Sequence, residues 1–313
     1  MILLTIIYSN EKYDITDKLN KMQSYFSKRE ILLGFSESIK DNNHFIEIYG
    51  LNPTLSDKVK NNLQRYIASF IFKLFVGKFL EEEFGNLVEE NYFFLKEDEI
   101  IKVREQFKNL LTSDKETYSN ELISCINIKN KSIENVVGCL NDSEKFNIDG
   151  YYTFRKKSFK KEMEQILNIL VEEHMVEKEY DEFIKLLKYF VDIQESKIEL
   201  IKIIIEDNGE YLIKDKNEKD IMQELLKDVE ESKFNGSVGI EDLIISGLIT
   251  YCPKEIYIYG KENVKNKEML DTIFNVFENK VSIKESKPLI KEENQIIAHK
   301  KNKEIDKKEP IHV

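Results

Sequence analysis

The stretch that most constrains this chain runs from about Ile148 to Glu206, beginning IDGYYTFRKKSFKKEM, passing through VEEHMVEKEYDEFIKLLKYFVDIQES and leaving as KIELIKIIIED. From Tyr152, apolar residues recur at Phe159, Met163, Ile166, Ile169 and Leu170. They recur again at Phe183, Leu186, Leu187 and Phe190, the i, i+3, i+4, i+7 spacing that gathers side chains on one helix face. The spacing predicts two helical segments that share one core, with a joint where Glu177, Lys178 and Glu179 crowd together. Lys160, Lys161, Glu164 and Glu172 take the solvated side.

Three polar residues break the stripe. Arg155 lies on the line of Tyr152 and Phe159, His174 on that of Met163, Leu167 and Leu170, and Gln194 on that of Ile184, Leu187 and Val191. Each is expensive to bury without a partner. An arginine in a helix stripe calls for a planar acceptor, so Arg155 is expected to pair with Asp192 or Glu195, an anionic ligand being the alternative. Arg155, Gln194 and Glu195 are therefore the candidate ligand- or partner-binding residues. His174 reads as a packed core histidine rather than a metal ligand.

The order FRKKSF, then VEEHMVEKEYDEFIKLLKYFVDIQE, then an apolar strand with a hairpin resembles the YtxC-like family of sporulation proteins of low-GC Gram-positive bacteria. Agreement is closest over 149–194, weaker over 242–259, and extends loosely over most of the first 285 residues. Where the family carries a leucine after the Phe-Arg pair, this chain has Lys156. The resemblance implies a cytoplasmic protein of spore formation and supplies no catalytic residues.

From the start of the chain, residues 1–51 read as a small α/β unit. A strand over Ile2–Tyr8 precedes a helix in which Ile15, Leu19, Met22 and Phe26 keep helical spacing. Two extended runs then flank the turn formers Asp41-Asn42-Asn43, giving β-α-β-β, and Asn52-Pro53 ends the unit. Residues 52–147 read as a helical region: an apolar stripe from Val59 to Phe75 continues past Gly77, where a bend or close packing is expected, and Ile100, Val103, Phe107 and Leu110 mark another helix. Periodicity is weak from Thr112 to Asn147, where ELISCINI fits a strand or a short helix and KSIENVVGCL a short helix.

Residues 148–283 combine the central helices with an α/β half. Ile201–Ile205 and Glu210–Ile213 are strands around a two-residue Asn208-Gly209 turn. KDIMQELLKDVEESKF, closed near Asn235-Gly236, reads as a helix, followed by helix IEDLIISGLITYC, strand EIYIYG, helix MLDTIFNVFEN and strand KVSI. That alternation predicts an open sheet covered by helices. Residues 284–313 read as a disordered, mildly basic tail on an acidic body. The fold class expected is α+β and helix-rich.

Function classes narrow by exclusion. A net charge of −11 argues against general nucleic-acid binding, which needs lysines and arginines to neutralise phosphates. Cys125, Cys139 and Cys252 form no CxxC pair and only 4 histidines are present, so neither disulfides nor a zinc site is indicated. No GxGxxG, GxxxxGK[ST], GxSxG or HExxH occurs. The apolar run from Tyr66 to Gly77 contains Lys73 and is too short to span a bilayer. The expectation is a cytoplasmic interaction or scaffold protein with no catalytic residue, no cofactor and a protein partner during sporulation; the alternative is a small-ligand-binding protein or an enzyme of unrecognised type using the C-terminal α/β half, where Tyr259, Gly260, Lys261 and Asn263 fall beyond a strand end.

Overall fold

The computed structural model describes residues 1–9, 13, 15–51, 55–113, 122–225 and 239–285. The Asn52-Pro53 break, most of the helix expected over 219–234, its Asn235-Gly236 end and the tail from 286 lie outside these residues. The protein is a helix-rich α+β chain with two small mixed sheets. It forms two compact units, Met1–Glu177 and Lys178–Val313, whereas composition drew its boundaries at 51, 147 and 283.

In the first unit, β1 (Ile2–Tyr8), α1 (Ile15–Ser27), β2 (Leu33–Lys40) and β3 (Asn43–Gly50) follow the expected order. Asp41 and Asn42, at φ 49° and 61°, make the tight β2–β3 turn; both central residues in the left-handed region suit the twist of a hairpin, and short polar side chains tolerate that region. Ile15, Leu19, Met22 and Phe26 are all buried, as their spacing requires. A fourth strand, β4 (Lys145–Asn147), pairs parallel with β1, so the sheet order is β2-β3-β1-β4. Three residues are too few for a period to register, and for that reason the sequence pattern did not mark it.

The helices of this unit are α2 (Asp57–Glu82), α3 (Phe84–Asn91), α4 (Glu97–Thr112) and α5 (Ile123–Asp142). Ser56 caps α2 by accepting from the Val59 amide at 3.4 Å, and Glu99 caps α4 by accepting from the Lys96 amide at 2.8 Å. Gly77 lies within an unbroken α2, with no atom within 4 Å of where a Cβ would stand, so close packing does not explain it. The ELISCINI and KSIENVVGCL runs, read separately, are largely one helix, α5, which buries Cys125, Ser132, Val136, Val137 and Leu140.

Helix α6 runs unbroken from Ile148 to Ile193. The expected joint at Glu177–Glu179 is absent because no glycine or proline occurs after Gly150 in this helix, and glutamate and lysine are good helix formers. Nor does the helix serve one core. Phe159, Met163, Ile166, Leu167 and Leu170 are buried in the core of the first unit, whereas Ile184 and Val191 are buried in that of the second.

The second unit continues with β5 (Leu200–Ile205), β6 (Tyr211–Asp215), α7 (Ile240–Tyr251), β7 (Glu255–Tyr259), α8 (Lys267–Phe277) and β8 (Val281–Ile283), in sheet order β6-β5-β7-β8. Strand β6 is antiparallel to β5, and β7 and β8 are parallel. The β5–β6 turn is one residue longer than expected: the Gly209 amide donates to the Glu206 carbonyl at 2.8 Å, and Gly209 follows Asp207-Asn208 at φ 81°. This is a three-residue loop in which glycine supplies the left-handed bulge position. Ile201, Ile203, Ile205, Ile213, Ile256 and Ile258 put one sheet face into the core.

Candidate functional site

Arg155 of α6 lines a cleft of the first unit together with Phe72, Phe75, Tyr151, Phe159 and Glu162. The carboxylate that shares the cleft is Glu162, not Asp192 or Glu195, and no ion pair within 4 Å joins Arg155 to another described residue. Its interaction is with the Tyr151 hydroxyl: burial raises that phenol's pKa, and the guanidinium draws it partly back. Both Glu162 oxygens are engaged, accepting from Ser132 and, at 3.5 Å, from Ser158. The cleft is small, about 20 Å³, and partly open to solvent.

His174 is buried at 9% exposure among the apolar residues of α6, as its place in the stripe implied. Its Nε2 stands 3.7 Å from Glu99 Oε1, beyond hydrogen-bond reach, and Glu99 is the residue that caps α4. No group of three or more His, Cys, Asp or Glu arranged to hold a metal ion occurs among the described residues.

Gln194 and Glu195 follow the end of α6 in the second unit, Gln194 half-buried and Glu195 exposed. The thiol of Cys252 donates to the Val191 carbonyl at 3.2 Å and points at that of Gln194 at 3.8 Å. Gly260 adopts φ 67°, and a Cβ there would stand 2.2 Å from the Ile205 carbonyl oxygen. Asn263 donates to that oxygen and to Asp207, each at 3.1 Å. The loop is therefore occupied in joining the ends of β5 and β7. Moreover β5, β7 and β8 step across the sheet in one direction, with none of the strand-order reversal that opens a ligand crevice in α/β sheets.

The feature that remains without an internal purpose is the outer face of α6 in the second unit. Ile184, Leu187 and Val191 face the core, Lys188 pairs with Glu278, and the Tyr180 hydroxyl lies 3.2 Å from Thr272 Oγ1. Away from that inner stripe lie Phe183, Leu186, Tyr189, Phe190 and Ile193, exposed at 52, 52, 60, 43 and 60%. Single exposed apolar residues are normal, whereas these are five within eleven residues on one side of a single helix.

The sequence profile of the YtxC-like family matches residues 65–282, more than two thirds of the chain. The chain belongs to the YtxC-like family. Among curated proteins it is similar to one from Bacillus subtilis (strain 168) described as "Uncharacterized protein YtxC", at 23% identity over 226 residues, covering 71% of this chain and 77% of the relative. No solved structure matches. The YtxC-like match spans α2 to β8 and so includes both the Arg155 cleft and the outer face of α6.

The periodicity placed Phe183, Leu186 and Phe190 on the buried face together with Leu187; the structure leaves the three exposed and buries Ile184 and Val191. A signal for this was present. Residues 183–193 carry more large apolar side chains than one face can hold, which is the pattern of a helix covered on two sides.

Proposed function

We propose that this YtxC-like chain is a cytoplasmic interaction or scaffold protein of spore formation whose assembly runs through the outer face of α6. The observation that carries the reading is the apolar patch at Phe183, Leu186, Tyr189, Phe190 and Ile193. The family resemblance supplies the sporulation context. The small Arg155 cleft, whose Glu162 is already bonded to Ser132 and Ser158, and the internally bonded Gly260 loop favour it over a ligand-binding protein or an enzyme. In addition, no helix among the described residues is long and apolar enough to cross a membrane.

Affinity capture of the tagged protein from sporulating and from vegetative cells tests the reading. A stoichiometric protein partner specific to sporulating cells, lost with Phe190→Glu, is the expected result. Recovery of the protein in both conditions without any partner, a second copy of this chain included, would remove the scaffold proposal. A metabolite that raises the thermal midpoint of the purified chain would restore the ligand-binding alternative, since ligand at about 100 times its Kd adds about 2.7 kcal/mol.

A further inference from the structure

The spacing on the outer face of α6 says what covers it. Phe183, Leu186, Phe190 and Ile193 are separated by steps of three, four and three residues, the seam spacing of one helix packed along another. Their order is large-small-large-small. We propose that the occupant is the same segment of a second copy of this chain, running antiparallel. This rests on the reading of the α6 face as an interaction surface and names its partner.

In an antiparallel pair centred near residue 188, Phe183 of one copy meets Ile193 of the other, and Leu186 meets Phe190. All four layers then hold one aromatic and one aliphatic side chain. Facing large residues with small ones lets layers interdigitate at native density. A parallel, in-register pair instead stacks phenylalanine on phenylalanine in two layers, at the seam positions where parallel dimers favour β-branched residues.

The flanks agree with the seam. In the antiparallel register each flank meets its own counterpart, so Tyr189 of one copy lies beside Tyr189 of the other, with Leu187 and Gln194 on the opposite flank. Glu182 is the one charged residue on either flank of the seam, and its two copies stand at opposite ends of the pair. Lys188, nearest the two-fold axis, is turned the other way and held by Glu278 of its own unit. The net charge of −11 opposes association only weakly, because repulsion between distant exposed charges is screened within about 8 Å at physiological salt.

Area points the same way. Phe183, Tyr189 and Phe190 carry roughly 150–250 Å² each and Leu186 and Ile193 less, so the five, about half exposed, present up to roughly 500 Å² per copy. Two copies that cover all of it bury up to roughly 1,000 Å², the size at which a specific interface begins, before flanking contacts are added. The helix is already held by the second unit through Ile184 and Val191, so little ordering opposes docking.

The test is the mass in solution of the full chain at micromolar concentration, by light scattering coupled to size exclusion. The proposal expects twice the 37.1 kDa of one chain, falling to a monomer in Leu186→Glu and in Phe190→Glu, with circular dichroism unchanged. Register is read by disulfide cross-linking in a Cys139→Ser background. Phe183→Cys mixed with Ile193→Cys should cross-link as a mixed pair several-fold faster than either variant with itself.

A monomeric full chain overturns the proposal, as does a dimer that survives both glutamate variants. Faster cross-linking of Phe183→Cys with itself overturns the antiparallel register. If the chain is monomeric and Phe190→Glu still abolishes capture of a sporulation partner, the interaction reading stands and a different protein covers the face.

Discussion

Replacing Gly260 by alanine separates a structural loop from a ligand-binding one. An L-residue held in the left-handed region loses about 1–2 kcal/mol relative to glycine. The new Cβ would also stand 2.2 Å from the Ile205 carbonyl oxygen, a backbone atom that cannot rotate away, so β5 and β7 must part at their ends. Parting them weakens the Asn263 bond to the same oxygen, a further loss of about 1 kcal/mol. The expected destabilisation is about 2–4 kcal/mol, confined to the second unit. With two compact units, unfolding is not a single two-state transition, so the readout is hydrogen exchange of peptides covering β5 and β7, with the first unit as internal reference. Gly138→Ala is the control: it lies in α5 with no atom within 4 Å of its Cβ position, and alanine there should stabilise by about 0.5–1 kcal/mol. A loss below about 1 kcal/mol in Gly260→Ala would refute the close-approach argument and return the loop to the list of ligand sites.

Arg155→Ala should lower the stability of the first unit, read by hydrogen exchange of its peptides, by less than about 1 kcal/mol, because no ion pair is broken; a loss of about 3–5 kcal/mol would mean a buried pair exists after all. Glu83 accepts from Lys156 at 2.8 Å and Lys160 at 3.1 Å, which hold its carboxyl below the ordinary range. Glu83→Gln should therefore cost about 1 kcal/mol at neutral pH. That stabilisation is complete above the usual carboxylate value of 4.5 and lost as pH falls through the depressed one, so the two proteins should converge in acid. Cys125 and Cys252 are buried and Cys139 exposed, and burial pushes the Cys125 thiol up to about 11. Alkylation at mildly alkaline pH, followed by peptide mass spectrometry, should label Cys139 alone until the chain is unfolded.

What was legible in the sequence is what depends on near neighbours. The α1 face, the Asp41-Asn42 hairpin and the β5 strand all follow from spacing and turn chemistry within a few residues. His174 could be placed in a core because its neighbours one and two turns away are apolar. The tertiary structure alone decided matters that join distant residues. Strand β4 exists only because β1 supplies a parallel partner some 140 residues earlier in the chain. Arg155 has Glu162 and Tyr151 beside it rather than Asp192 or Glu195, since periodicity gives the face of a helix but not what is packed against it. For the same reason the two apolar stripes of α6 were indistinguishable in sequence: both keep helical spacing, and only the position of β5, β7 and α8 determines that Ile184 and Val191 are covered while Phe183, Leu186, Phe190 and Ile193 face outward.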